Sequence, residues 1–180
     1  AGFAVGVVEK RELLDGSAIR EGDAIIGIAS SGLHSNGFSL VRKLLLNDAG
    51  YRLDQRIAEL GDALLGEVLL TPTKIYVQAA AALRKAVTVK GLSHLPGGGL
   101  LVRESWPVHA IFRLLQKVGN LSEKEMCRTF NMGVGLVAFV PEEQAERAIE
   151  AAVQAGEKAY RIGTVTRGEG IVTLDGEALA

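Results

Sequence analysis

The stretch that decides the fold is "IGIASSGLHSNGFSLVRKLL", Ile26 to Leu45. A run of β-branched and small apolar residues stops at two serines. Helical spacing resumes at Phe38 and continues through Val41, Leu44 and Leu45 on one face. Between them lie Ser30, Ser31, Gly32, His34, Ser35, Asn36 and Gly37, where a plain strand-to-helix turn needs about two or three such residues. A buried strand ending at serines, with a helix opening at Ser35 or Asn36, aims free backbone N–H groups at one point. The helix dipole adds partial positive charge there, and glycine lets an anion approach the backbone. The serine hydroxyls can donate to the same anion. Capping alone explains one Asn or Ser and a glycine in a left-handed turn; the loop supplies more, and an anion or phosphate site is the favoured reading.

Outward from this loop the chain alternates strands and helices irregularly. "FAVGVVEK" (Phe3–Lys10) and "AIIGIAS" (Ala24–Ser30) read as strands separated by turns. "KIYVQAAAALRKA" is alanine-rich enough for a helix, and "VTVKGLSHL" returns to strand character. "WPVHAIFRLLQKVGN" predicts a helix with Pro107 near its first turn and Gly119 past its end, its apolar face being Ile111, Leu114, Leu115 and Val118. Ser122 and Glu125 have capping-box spacing. "GVGLVAFV" predicts a buried strand. "PEEQAERAIEAAVQAG" predicts a helix with a stripe of Ala145, Ala148, Ile149, Ala152 and Val153 that ends at Gly156. "YRIGTVT" and "GIVTL" close the chain as strands. This order favours an open sheet with helices laid against it, and leaves parallel versus mixed strand order open.

Two further junctions are polar. "HLPGGGL" places Gly97, Gly98 and Gly99 after a strand, a backbone able to fold around a ligand or simply to turn, and His94 sits where strand becomes loop. "RTFNMGVG" sets Asn131 between a helix and a very apolar strand, where it either pins the backbone or presents an amide to a ligand. His109 lies among Val108, Ile111 and Phe112 and reads as packing. No His, Cys and carboxylate cluster has metal-ligand spacing, so no protein metal site is expected, and no Ser/His/Asp set orders into a hydrolase triad.

Composition narrows the class. The 180 residues are 48% hydrophobic and 23% charged, with net charge −1 and no basic stripe, so neither a nucleic acid nor a membrane surface is an expected partner. Cys127 is the single cysteine, which excludes an intrachain disulfide and fits a cytoplasmic setting.

"GDAIIGIASSGLHSNGFSLVRKLL", "LLTPTKIYV", "GLSHLPGGGL" and "EMCRTFNMGVGLV" occur in an order and spacing that resemble the C-terminal domain of phosphoribosylformylglycinamidine cyclo-ligase, or AIR synthetase, over essentially the whole chain. The resemblance implies a single C-terminal domain, residues 1–180, of α+β class, a layered α/β/α arrangement with a mixed sheet flanked by helices, whose N-terminal ATP-binding domain is not in the chain. It implies a ligase of purine biosynthesis that uses ATP to activate the formyl oxygen of formylglycinamidine ribonucleotide and close the aminoimidazole ring. It further implies ATP and Mg²⁺ held mainly by the N-terminal domain, and a homodimer. Carried over residue by residue, His34 and His94 become the catalytic candidates. Ser30, Ser31, Gly32, Ser35, Asn36, Gly37, Gly97, Gly98, Gly99 and Asn131 become candidates for substrate or phosphate binding. One departure is visible: only "LVRE" joins Leu100 to Ser105, where the family has a longer segment. The alternatives are another member of the same ATP-dependent superfamily, such as a formylglycinamidine ribonucleotide synthetase-like or kinase-like protein, or a non-catalytic ribonucleotide-binding module.

Overall fold

A computed structural model describes residue 3, residues 5–95 and 105–167, and the backbone of two short strands near the C-terminus. Strand β1 (Ala24–Ala29) leads through the polar loop into α1 (Phe38–Val41), which widens into a π-helix over Arg42–Asp48. A small ribbon of β2 (Arg56–Ile57) and β3 (Ala63–Leu64) precedes α2 (Leu65–Leu69) and α3 (Val77–Ala86). Then come β4 (Gly91–His94), α4 (Ala110–Gly119), α5 (Glu123–Thr129), β5 (Val134–Val140), α6 (Ala145–Gln154) and β6 (Ala159–Thr164), with a terminal hairpin of β7 (Thr173–Leu174) and β8 (Glu177–Ala178).

The central sheet has the order β4-β5-β1-β6. Every pairing in it is antiparallel, so among the described residues the sheet is antiparallel rather than mixed. Antiparallel order brings the C-terminal ends of β1 and β4 and the start of β5 to one end of the sheet. Both faces are covered. Ile25, Val137 and Ile162 point into a core built with α1, α2, α4 and α5. On the other face Ala24, Ile26, Ile28, Ala138 and Val140 pack against α3 and α6 through Ala79, Leu83, Ala145, Ala148 and Ala152. The α+β layered architecture expected from the sequence is therefore present, and the near-continuous apolar runs of β1 and β5 follow from burial on two faces.

Local differences have local causes. "FAVGVVEK" forms no strand in its described residues; Phe3, Val5 and Val7 are almost fully exposed, because β-propensity needs a pairing partner and a covered face. Helix α4 starts after Pro107, with His109 extended at its N-cap, and Gly119 is its last residue rather than beyond it. Glycine is needed there for close approach, since a Cβ would lie 2.7 Å from Leu44 Cδ1, and Asn120 makes the left-handed cap at φ 45°. The Ser122–Glu125 capping box forms as expected. On α6 the stripe holds at Ala145, Ala148 and Ala152, while Val153 turns outward. Of "GIVTL", only Thr173 and Leu174 lie within the described residues, in the terminal hairpin.

Candidate functional site at the open end of the sheet

Three buried polar side chains, Ser30, His34 and Asn131, gather where β1 ends and β5 begins. Asn131 is the hub. Its Oδ1 accepts from Ser30 Oγ at 3.0 Å and from Gly133 N–H at 2.9 Å, while Nδ2 donates to the Gly32 carbonyl at 2.9 Å. These three bonds pin two loops, so of the two roles open to it in the sequence the backbone-pinning one is what the structure displays. The backbone N–H of Ser30 reaches Gly133 O, and its carbonyl accepts from His109 Nε2 at 3.0 Å. His109, read as packing, thus also fastens the end of β1.

The loop differs from the expected anion cradle in its donors. Ser30 Oγ is committed to Asn131, Ser31 Oγ donates to Pro72 O at 2.6 Å, and Asn36 Nδ2 donates to Thr129 O at 2.8 Å. Each proton satisfies a neighbouring carbonyl or amide, because a buried carbonyl without a donor costs about 1–3 kcal/mol. The helix does not open at Ser35 or Asn36. Its N-cap is Gly37 at φ 75°, without a side-chain cap, and a Cβ there would overlap the Phe130 ring. Ser35 is exposed. Gly97, Gly98 and Gly99 lie outside the described residues; Leu95, just before them, donates its N–H to Gly135 O at 2.9 Å at this same end.

What the loop does bring forward is His34. It sits at φ 58°, a left-handed conformation uncommon for a non-glycine residue, and is 4% exposed. Its ring lies nearly parallel to that of His94, with centroids 6.0 Å apart at 12°. The two catalytic candidates, remote in sequence, therefore face each other. Tyr76 completes a triangle, its centroid 6.1 Å from His34 and 6.0 Å from His94, and its hydroxyl donates to Ala29 O at 3.1 Å. Burial pushes the Tyr76 phenol well above its ordinary value. Burial first, and then the nearby His94, Lys74 and His109, hold His34 down at about 4.

Gly135 makes room for this arrangement. The β1–β5 register slips between Ile28 and Ala29, which leaves Gly135 as the extra residue of a bulge. A Cβ on Gly135 would overlap the Tyr76 hydroxyl and lie 2.5 Å from His34 Cε1. A glycine inside an apolar strand is a sequence signal for such an approach; no comparable signal marks Tyr76, and sequence reading missed it. Beside Ser30 and His109 opens a pocket of about 340 Å³ with Lys74, Lys158 and Tyr160 on its walls. Lys74 is paired to Glu157 at 2.7 Å.

Among the described residues no group of three or more His, Cys, Asp or Glu side chains converges on a point. The strand-end cluster offers imidazole, hydroxyl and amide groups rather than the carboxylate oxygens that Mg²⁺ requires. These residues do not fit a magnesium site.

The profile for the AIR synthase related protein, C-terminal domain, matches residues 20–175. The chain is 47% identical to the phosphoribosylformylglycinamidine cyclo-ligase of Thermoanaerobacter pseudethanolicus over 189 residues, covering 97% of this chain and 56% of that protein. It is 49% identical to that of Shouchella clausii, with 96% and 54% covered, and 46% identical to that of Bifidobacterium longum, with 92% and 52% covered. The chain thus spans about half the length of the curated relatives it matches. The match to the Thermoanaerobacter protein runs over 189 positions, more than the 180 residues of this chain, so that relative carries residues this chain lacks. Among solved structures, the E. coli hydrogenase maturation protein HypE is similar in fold at TM-score 0.57 and 19% identity, over 95% of this chain and 51% of that one. On the length and identity of these matches, the chain belongs to the AIR synthase related protein family, as its C-terminal domain.

Proposed function

We propose that this domain supplies the histidine side of the active site of a phosphoribosylformylglycinamidine cyclo-ligase. The observation that carries the reading is the convergence of His34, His94 and the Asn131-pinned loop at one sheet end. It is supported by 46–49% identity to cyclo-ligases across nearly the whole chain. In that reaction the formyl oxygen of the substrate takes the terminal phosphoryl group of ATP. The amidine nitrogen then attacks the formyl carbon, and the C–O bond breaks to release phosphate as the nitrogen sheds a proton. ATP supplies the phosphoryl group and is held, with Mg²⁺, mainly by the N-terminal half of the enzyme.

The residues of this chain have narrower tasks. The Ser30–Gly37 loop fixes where His34 points, since the Ser30 and Ser31 hydroxyls and the Asn36 amide are spent on Asn131, Pro72 and Thr129. Backbone at Gly32 and the pocket beside Ser30 with Lys74 and Lys158 on its walls are the groups of this end placed for substrate phosphate, with Gly97, Gly98 and Gly99 as sequence candidates outside the described residues. The imidazoles face the reacting amide. The active unit is a homodimer that includes the N-terminal half and works in the cytoplasm.

The test is turnover of formylglycinamidine ribonucleotide by this domain joined to a cyclo-ligase N-terminal half. Ring closure that depends on His94 supports the proposal; a joined enzyme that binds ATP but closes no ring overturns it.

A further inference from the structure

The two stacked imidazoles do not stand in equivalent surroundings. The backbone N–H of Ser31 donates to His34 Nε2 at 3.3 Å. A nitrogen that accepts a hydrogen bond carries no proton, so the imidazole is neutral with its hydrogen on Nδ1. That Nδ1 is buried and meets no hydrogen-bond partner within the protein. The groups facing His34 are Tyr76 and His94, with the Lys74 ammonium and the His109 ring nearby. Tyr76 donates its hydroxyl to Ala29 O at 3.1 Å, and its oxygen does not come within hydrogen-bond reach of that Nδ1. Buried N–H groups are rarely left orphaned. His94, by contrast, is exposed at the end of β4.

We infer that His34 is a fixed, uncharged hydrogen-bond donor whose Nδ1–H forms a subsite for an oxygen acceptor of the ligand, while His94 alone of the pair exchanges protons. Assignment of the acceptor to the reacting amide oxygen rests on the proposed function; the donor assignment itself does not. His34 keeps its proton throughout, polarising the oxygen that gains charge. The proton shed by the amidine nitrogen at ring closure passes to a His94 nitrogen and from there to water. The Ser31 N–H is the positioning group that selects the tautomer, and Gly135 leaves the space in which the ring sits.

Long-range ¹H–¹⁵N spectra of the histidine-labelled 180-residue chain, with His34→Ala used for assignment, read the tautomer directly. The expected result is an Nδ1–H tautomer for His34 that persists from about pH 8 to pH 5. An Nε2–H tautomer, or protonation of His34 within that range, overturns the inference and leaves the ligase reading intact. In the joined enzyme, His34→Asn puts an amide N–H near the former Nδ1 and His34→Gln puts one near Nε2. Asn also tolerates φ 58° better than most residues. His34→Asn is expected to retain kcat/KM at least about tenfold above His34→Gln, with an unshifted pH profile. Equal loss in both variants, or the reverse order, overturns it.

Discussion

The two ends of β1 each bury a polar side chain, and they treat it differently. At the start of the strand Asp23 is 4% exposed, one carboxylate oxygen paired with Lys90 Nζ and the other accepting the Arg20 N–H at 2.7 Å. Both oxygens have partners, and the strand is anchored there. At the far end Asn131 and Ser30 are likewise satisfied, but they hold in place a histidine that is not. A buried group whose bonds all close inside the chain explains itself by stability. One that leaves a donor over, at an end where the sheet edge opens beside a pocket, explains itself by what binds.

Breaking each end separates the two roles. Asn131→Ala removes the acceptor of Ser30 Oγ and Gly133 N–H and the donor to Gly32 O, all buried. The expected cost is roughly 3–4 kcal/mol in urea unfolding, with the His34 resonances displaced. Asp23→Ala strands Lys90 at the opposite end and should cost about 3 kcal/mol while leaving those resonances in place. Similar shifts of His34 in both variants would abolish the distinction between the ends.

Acid sharpens the comparison next. His34 is held near 4 by burial, below the ordinary value of about 6.5, so the unfolded chain binds its proton first as the pH falls. Stability is unaffected by this group above about pH 6.5, declines between about 6.5 and 4, and levels off below, by up to about 3 kcal/mol. His34→Asn should remove most of that slope from urea midpoints measured across the window. An unchanged slope would mean that His34 does not resist protonation.

Much of this organisation was legible in the sequence and the reasons are physical. Strands β1 and β5 announced themselves because burial on both faces demands unbroken apolar runs. Helices α4 and α6 showed in the spacing of Ile111, Leu114 and Leu115 and of Ala145, Ala148 and Ala152, and α5 in its capping box. The polar loop is also legible, but not the partners of its side chains: counting hydroxyls cannot say that Ser31 reaches Pro72 or that Ser30 reaches Asn131, contacts that span 41 and 101 residues. The same holds for Tyr76, which joins the histidines only through the chain's return along α3. "FAVGVVEK" erred the other way, since its alternation fits a strand whose partner the described residues do not contain.

Gly135 and Tyr76 supply the finer tests. Gly135→Ala intrudes on both the Tyr76 hydroxyl and His34, and its expected cost is about 1–3 kcal/mol with the parallel imidazoles forced apart. Loss of ring-current shifts between His34 and His94 would report the separation; retention of those shifts would mean that the strand bulge relaxes instead.

Tyr76→Phe is the smallest perturbation and isolates the hydroxyl from the ring. It deletes the bond to Ala29 O at 3.1 Å and keeps the tilted contacts with both histidines. If the ring alone spaces the imidazoles, stability falls by about 1 kcal/mol, the His34 tautomer is unchanged, and the joined enzyme loses little turnover. If the hydroxyl does more, by keeping the aromatic face from accepting the Nδ1–H, the freed ring can shift toward His34 and the pH profile of kcat/KM will move with it. The first outcome follows from the geometry, because Ala29 belongs to the sheet and the phenol follows the strand rather than the histidine. Measuring the profile, rather than the rate alone, decides between them.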